Sequence, residues 1–345
     1  MKSTGRRATS SGASACMVLF VGWISFGLSI NSVCASDTRA VPLHKVAEIP
    51  LGGRPTRLDY VSFDPGRHLL YMAHLGDSEV IVFDVNASRV VGRISDVSSV
   101  HGVLAIPELG RAYATATGTK EVVAIDPATL TVTARIATGG YPDGLAYAPE
   151  VHKLYVSDER GGDETVVDVR SNTKVATIAL GGEAGNTQYD PVSRHVFVNL
   201  QTRTQLVEID PSSDTVIARY DLRGAKGNHG LLIDSGHRLA FIACEGNAAL
   251  LVFDMRTKRV TASLRVGAGP DLLAYDEAYN YLYVASESGA ATIFRVASSG
   301  VTKLGEFVAG PNAHVVGVDQ STHRAYFPLE NLDGHTALSV FEATQ

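Results

Sequence analysis

A repeat of about 42 residues, four short apolar runs in each repeat, and no sustained apolar period of about 3.6 residues predict an all-β fold. The specific prediction is a seven-bladed β-propeller with four-stranded blades. The repeat is anchored by Asp59, His101, Asp143, Gly185, His229, Asp271 and His314, separated by 42, 42, 42, 44, 42 and 43 residues. Each anchor opens a short apolar run, as in Asp143-Gly-Leu-Ala-Tyr and His229-Gly-Leu-Leu-Ile.

The first strand of each repeat ends near Asp64, Ile106, Ala148, Asp190, Asp234, Asp276 and Asp319. Seven residues further on lies an aromatic inside a second strand: Tyr71, Tyr113, Tyr155, Phe197, Phe241, Tyr283 and Tyr326. A third strand ends on Asp84, Asp126, Asp168, Asp210 and Asp254, each 20 residues after the end of the first strand. A fourth strand follows, as in Thr131-Val-Thr-Ala-Arg-Ile136. Short apolar or alternating runs broken by Gly, Pro, Asp and Asn are strand and hairpin signals. The sixth repeat puts Arg295 where the others have Asp, and the seventh inserts Pro328 to His335 between its second and third strands. That last repeat stops after its third strand, Thr336 to Phe341. A stray N-terminal strand near His44 to Leu51, whose sequence matches the fourth-strand segment Thr173 to Gly182, would complete it and close the ring.

Composition bounds the rest. The chain has 345 residues, 45% of them hydrophobic and 19% charged, a globular balance. Lys2, Arg6 and Arg7, the apolar run Cys16 to Ile30 and the small residues before Ala35 predict a signal peptide over residues 1–35, with a single propeller domain over residues 41–345. Such a chain would be periplasmic or extracellular, with no transmembrane segment once the signal is cleaved. Removing residues 1–35 leaves 27 Lys and Arg against 36 Asp and Glu, a net charge of −9. That balance argues against general nucleic-acid binding. Of three cysteines only Cys244 remains, so no intramolecular disulfide is expected. No phosphate-cradling Gly-Lys-Ser/Thr loop, haem-attachment Cys-x-x-Cys-His or Gly-x-Ser-x-Gly elbow is present.

In a propeller the first strands line the central channel, so the seven anchors would converge on one mouth. His101, His229 and His314 fall on blades two, five and seven. Aimed inward, they would meet at one divalent metal, zinc or another transition ion. Asp59, Asp143 and Asp271 lie between them as orienting groups, cation ligands or general bases. Gly102, Gly144 and Gly230 follow three of the anchors and would leave room for something to approach. Arg54 and Arg57 enter blade one and would hold an anionic group. Asn186 stands beside Gly185 to replace its missing polar group. Loops between second and third strands add His74, Asp158, Arg160, Arg203, Glu245 and Glu330, and Glu245 joins the ligand-binding candidates. His68, His152, His195, His237 and His323 recur at the opposite hairpin and read as turn composition.

The strands Leu154-Tyr-Val-Ser-Asp158, Val196-Phe-Val-Asn199 and Leu282-Tyr-Val-Ala-Ser286, each followed by a turn and another apolar strand, resemble the YVTN-type repeats of the YncE-like family. The resemblance covers residues 41–345. It implies the propeller fold and leaves three readings of the mouth. One is a site for a small-molecule or peptide ligand, or for a metal. A second is a metal-dependent or histidine-catalysed lyase or hydrolase. In that reading, by similarity to the streptogramin-lyase and peptidyl-hydroxyglycine-lyase propellers, His101, His229 and His314 would hold a metal or act as acid and base. Asp143 and Asp271 would assist, and Arg57 would fix a carboxylate. The third is a protein-interaction scaffold.

Overall fold

The computed structural model describes residues 41–344. The expected signal peptide and the spacer after it lie outside the described residues. Among the described residues, 28 strands form seven four-stranded antiparallel sheets, one per blade. No helix among them is long and apolar enough to cross a membrane.

Blade three shows why the sequence folds this way. Its strands run Pro142–Ala148, Lys153–Asp158, Asp163–Asp168 and Thr173–Ala179. The second and third are covered on both faces by neighbouring blades and are almost wholly buried, although the third opens on the polar residues Asp163, Glu164 and Thr165. The outermost strand of a blade has one wet face and alternates, most regularly in Thr215–Asp221 of blade four. The aromatics seven residues after each first strand are all buried between blades. Each buried side chain of that size contributes on the order of 2 kcal/mol.

The ring closes as the leftover strand predicts. Leu43–Pro50 pairs antiparallel with His335–Ala343 and becomes the outer strand of blade seven. The expected inserted loop of that blade is instead a longer hairpin. The second strand runs Arg324–Leu332, and Leu332 pairs with His335 across a tight turn.

The turn histidines have a backbone cause. One residue in each hairpin joining first and second strands adopts left-handed φ, and His68, His152 and His323 occupy that position at φ of 56°, 56° and 57°. Histidine is enriched there among residues with a side chain. His195 and His237 flank the same position and pair through Nδ1 with Glu208 and Asp234, both at 2.7 Å.

Candidate functional site

In blades two to six the ladder between first and second strands slips by one residue at the anchor. Pro142 faces Asp158 and Leu145 faces Val156, so Asp143 and Gly144 together take the place of one residue. The same shift occurs at His101, Gly185, His229 and Asp271. A bulge of this kind kinks the strand and re-aims a side chain. His101, Asp143, His229 and Asp271 accordingly face one cavity of about 690 Å³.

Two of the glycines after the anchors, Gly102 and Gly230, serve a different purpose from the one expected. A Cβ on Gly102 would stand 2.1 Å from the Asp143 carbonyl oxygen, and one on Gly230 would stand 1.9 Å from that of Asp271. The room they leave is filled by the backbone of the next blade, not by a ligand. Gly185 is pressed likewise, its Cβ position lying 2.8 Å from the His229 carbonyl oxygen.

Acidic and basic groups alternate around the mouth. His229 Nε2 lies 3.6 Å from both Asp143 Oδ2 and Asp271 Oδ1. Arg57 reaches Asp271 Oδ2 at 3.6 Å and Asp59 Oδ2 at 3.5 Å, and hydrogen-bonds Glu287 at 3.0 Å. His314 Nε2 completes the series, 3.9 Å from Asp59 Oδ1. Burial, with repulsion from Asp59 and Glu159, pushes Asp143 up to about 8 against the pull of His229. Burial works against a charge on His229, yet Asp271 and Asp143 outweigh it and raise the imidazole to about 9. Burial raises Asp271 as well, opposed by His229 and His314. Glu245 reaches about 7, from desolvation first and then from neighbouring carboxylates.

The structure does not bring His101, His229 and His314 into one ligand set among the described residues. No set of three metal-ligating atoms within 4.8 Å of one another, among the described residues, contains two of His101, His229 and His314. His101 is committed elsewhere: Nδ1 donates to the Ser99 carbonyl at 2.8 Å, and Nε2 accepts from the Tyr141 hydroxyl at 2.9 Å. The histidines instead join carboxylates, in the sets Asp59/Asp271/His314 and His229/Glu245/Asp271. A third set, His74/Asp77/Glu79, lies off the mouth, and its histidine is satisfied by Glu79 on one ring nitrogen and by Thr56 and the Arg54 carbonyl on the other.

The remaining expected residues divide. Arg57, Asp59 and Glu245 line the cavity. Arg54 does not: its guanidinium bonds Asp77 and the Gly76 carbonyl, pinning the entering chain to blade one. Asn186 sits deeper, where its Oδ1 accepts from the Tyr60 hydroxyl.

Two tyrosines escaped the sequence reading. Tyr60 sends its hydroxyl from blade one to Asn186 and, at 3.3 Å, to Asp143 Oδ2. It thereby separates the mouth from a cavity of about 130 Å³ walled largely by Val and Leu of the first strands. Tyr141 holds His101 and lies under the Arg160 guanidinium, 3.9 Å from its ring centroid. Its φ is +66°, at a position where blades five and six use Gly227 and Gly269. A left-handed aromatic costs about 1–2 kcal/mol. Aligning the residue two before each anchor would have exposed it.

No family model matches this chain, and no curated protein matches it. Among solved structures, hydrazine synthase of Kuenenia stuttgartiensis superposes with a TM-score of 0.74, covering 85% of this chain and 97% of that one at 14% identity. Likeness at that identity supports the propeller fold and carries no activity across.

Proposed function

We propose that this chain is an exported propeller of YncE-like type whose channel mouth binds a small cationic ligand. One observation carries the ligand class. Asp59, Asp143, Glu159, Glu245, Asp271 and Glu287 face one cavity whose basic groups are Arg57, His101 and His229. Carboxylates gathered in a partly desolvated mouth repel one another, and a bound cation relieves that repulsion. An amine and a metal ion both meet the requirement. The YncE-like assignment rests on the repeat residues, whose YVTN-like runs form the second strands of blades three, four and six. Export rests on the residues before Ala35.

Calorimetry with putrescine, succinate and butanediol tests the ligand class, because the three are similar in length and differ in charge. The diamine binds, with an affinity that falls as salt rises. Asp143→Asn weakens it at least about 10-fold, because a bound cation draws the proton off Asp143 and an amide cannot supply that charge. Preference for succinate would overturn the proposal. Intact-mass measurement of the secreted protein tests export, since cleavage leaves Ser36 as the first residue.

A further inference from the structure

We propose that Asp59, Asp271 and His314 form a seat for one divalent first-row transition-metal ion, with Arg57 as the counter-charge the ion displaces. The inference rests on reading the mouth as a cation site, and it names one cation and its ligands.

His314 carries the argument. It is 1% exposed, and its Nδ1 donates to the Asn312 carbonyl oxygen at 2.8 Å. That bond fixes the ring and leaves Nε2 as the free donor atom. Nε2 is buried and has no hydrogen-bond partner among the described residues. An imidazole tied through one nitrogen to a carbonyl, with the other nitrogen facing carboxylates, is the usual arrangement of a metal ligand. Asp271 Oδ1 is the second orphan, buried and without a hydrogen-bond partner among the described residues. One ligand atom from each of Asp59, Asp271 and His314 lies within 4.8 Å of the other two.

Distance separates a metal from a proton. A proton on Nε2 would find Asp59 Oδ1 at 3.9 Å, beyond hydrogen-bond reach. Two atoms each bound at about 2.0–2.2 Å to a common ion stand up to about 4.2 Å apart, so an ion spans this gap with small side-chain shifts. The mixed nitrogen and oxygen set suits first-row transition ions, whereas calcium and magnesium take oxygen.

Arg57 explains how the seat holds together without an ion. Its guanidinium approaches Asp59 and Asp271 only at 3.5 and 3.6 Å, while its one short contact is with Glu287 at 3.0 Å. It neutralises the two buried carboxylates without occupying all their acceptor positions. An arriving dication takes over that role, and Arg57 keeps Glu287.

Zinc titration of the purified, tag-free, chelator-treated protein tests the seat. One equivalent binds, calcium does not compete, and His237→Ala on the opposite face changes nothing. His314→Ala and Asp59→Asn each weaken binding at least 10-fold. Arg57→Met tightens it at least 3-fold, and an affinity unchanged or lowered in that variant overturns the displacement by the ion. Wild-type affinity in both His314→Ala and Asp59→Asn overturns the seat, as does loss confined to His229→Gln. Should His314→Ala misfold, electron paramagnetic resonance of the copper-loaded wild type decides: coupling to one imidazole nitrogen supports the seat, and coupling to two or more overturns it. Putrescine binding in the same preparation separates the two conclusions. If putrescine binds and zinc does not, only the seat falls; if neither binds, both fall.

Discussion

Glu164 shows how a single side chain can run against the repeat that contains it. It is fully buried, and neither carboxyl oxygen has a hydrogen-bond partner among the described residues. The equivalent third-strand positions in blades one, two, four and five hold Val80, Val122, Leu206 and Leu250, all core residues. Burial, and then repulsion from Asp158 and Asp163, pushes Glu164 well above the usual carboxylate range. Asp158 rises to about 7, again chiefly by burial. A carboxyl whose folded pKa exceeds its unfolded value, near 4.3 for Glu, binds its proton more tightly when folded. Its contribution is therefore whole below about pH 4 and drains away as pH rises, by at most about 1.4 kcal/mol per pH unit for each group. Glu164→Leu should raise the midpoint of thermal unfolding, by about 1–3 kcal/mol of stability at neutral pH. It should also flatten the decline between pH 5 and pH 9. Melting curves across that range check it, and a variant that parallels the wild type would show that Glu164 keeps its charge. The sequence did not reveal this residue, because Asp163-Glu164-Thr165 reads as a polar strand entry. The anchors were legible because they recur. Tyr60, Tyr141 and Glu164 are exceptions to the recurrence, and only alignment at fixed offsets isolates them.

At the scale of the strand, boundaries were legible and register was not. Apolar runs and turn residues mark where strands begin and end, and all seven first-strand ends fall where the spacing places them. The bulge at the anchors of blades two to six depends on how two strands pair, which no run of residues displays. This is why Gly102 and Gly230 looked like openings for a ligand when they are contacts between blades. The contact can be tested by substitution. Gly230→Ala places a Cβ 1.9 Å from the Asp271 carbonyl oxygen, so the backbone of blade five or six must move. Overpacking of this kind costs about 1–3 kcal/mol, and the rigid neighbour puts this case at the upper end. Gly144→Ala meets nothing nearer than the Ser157 hydroxyl at 3.0 Å, a side-chain atom that can yield, and should cost at most about 1 kcal/mol. Chemical denaturation of the pair ranks them. Equal losses would mean that the first strands slide freely past one another. Gly230→Ala should also weaken cation binding, because the displaced backbone carries Asp271.

Over the whole molecule the ring order was legible, and the depth of each side chain within it was not. Even spacing put three histidines on blades two, five and seven but could not show that His229 and His314 would face carboxylates while Tyr141 holds His101. Closure was legible for an arithmetic reason: a seven-fold repeat of four strands left one strand short at the end and one over at the start. Leu43–Pro50 supplies the missing edge of blade seven. Ala47, Ile49 and Leu51 pack with Tyr326, Leu338 and Val340 in the core shared by blades seven and one. Leu51 then donates to the Thr336 carbonyl at 2.9 Å, and Thr336 returns a hydrogen bond to the Gly52 carbonyl at 2.6 Å. The strand therefore joins the two chain ends in one sheet. Removing residues 1–40 should leave thermal unfolding unchanged, since the strand survives. Removing residues 1–50 deletes the strand, exposes an unpaired edge and uncovers apolar surface of blade seven. A loss of about 3–5 kcal/mol is in keeping with one strand's ladder and two or three apolar side chains, and in a chain of this size lowers the midpoint by roughly 5–8 °C. A synthetic peptide spanning residues 41–52 should restore much of that loss by pairing with the open edge. The comparison needs all three preparations. If the shorter truncation already lowers the midpoint, residues before the strand take part in closure. If the longer one melts like the wild type, the ring is held by its blade-to-blade cores, and the outer strand only covers an edge.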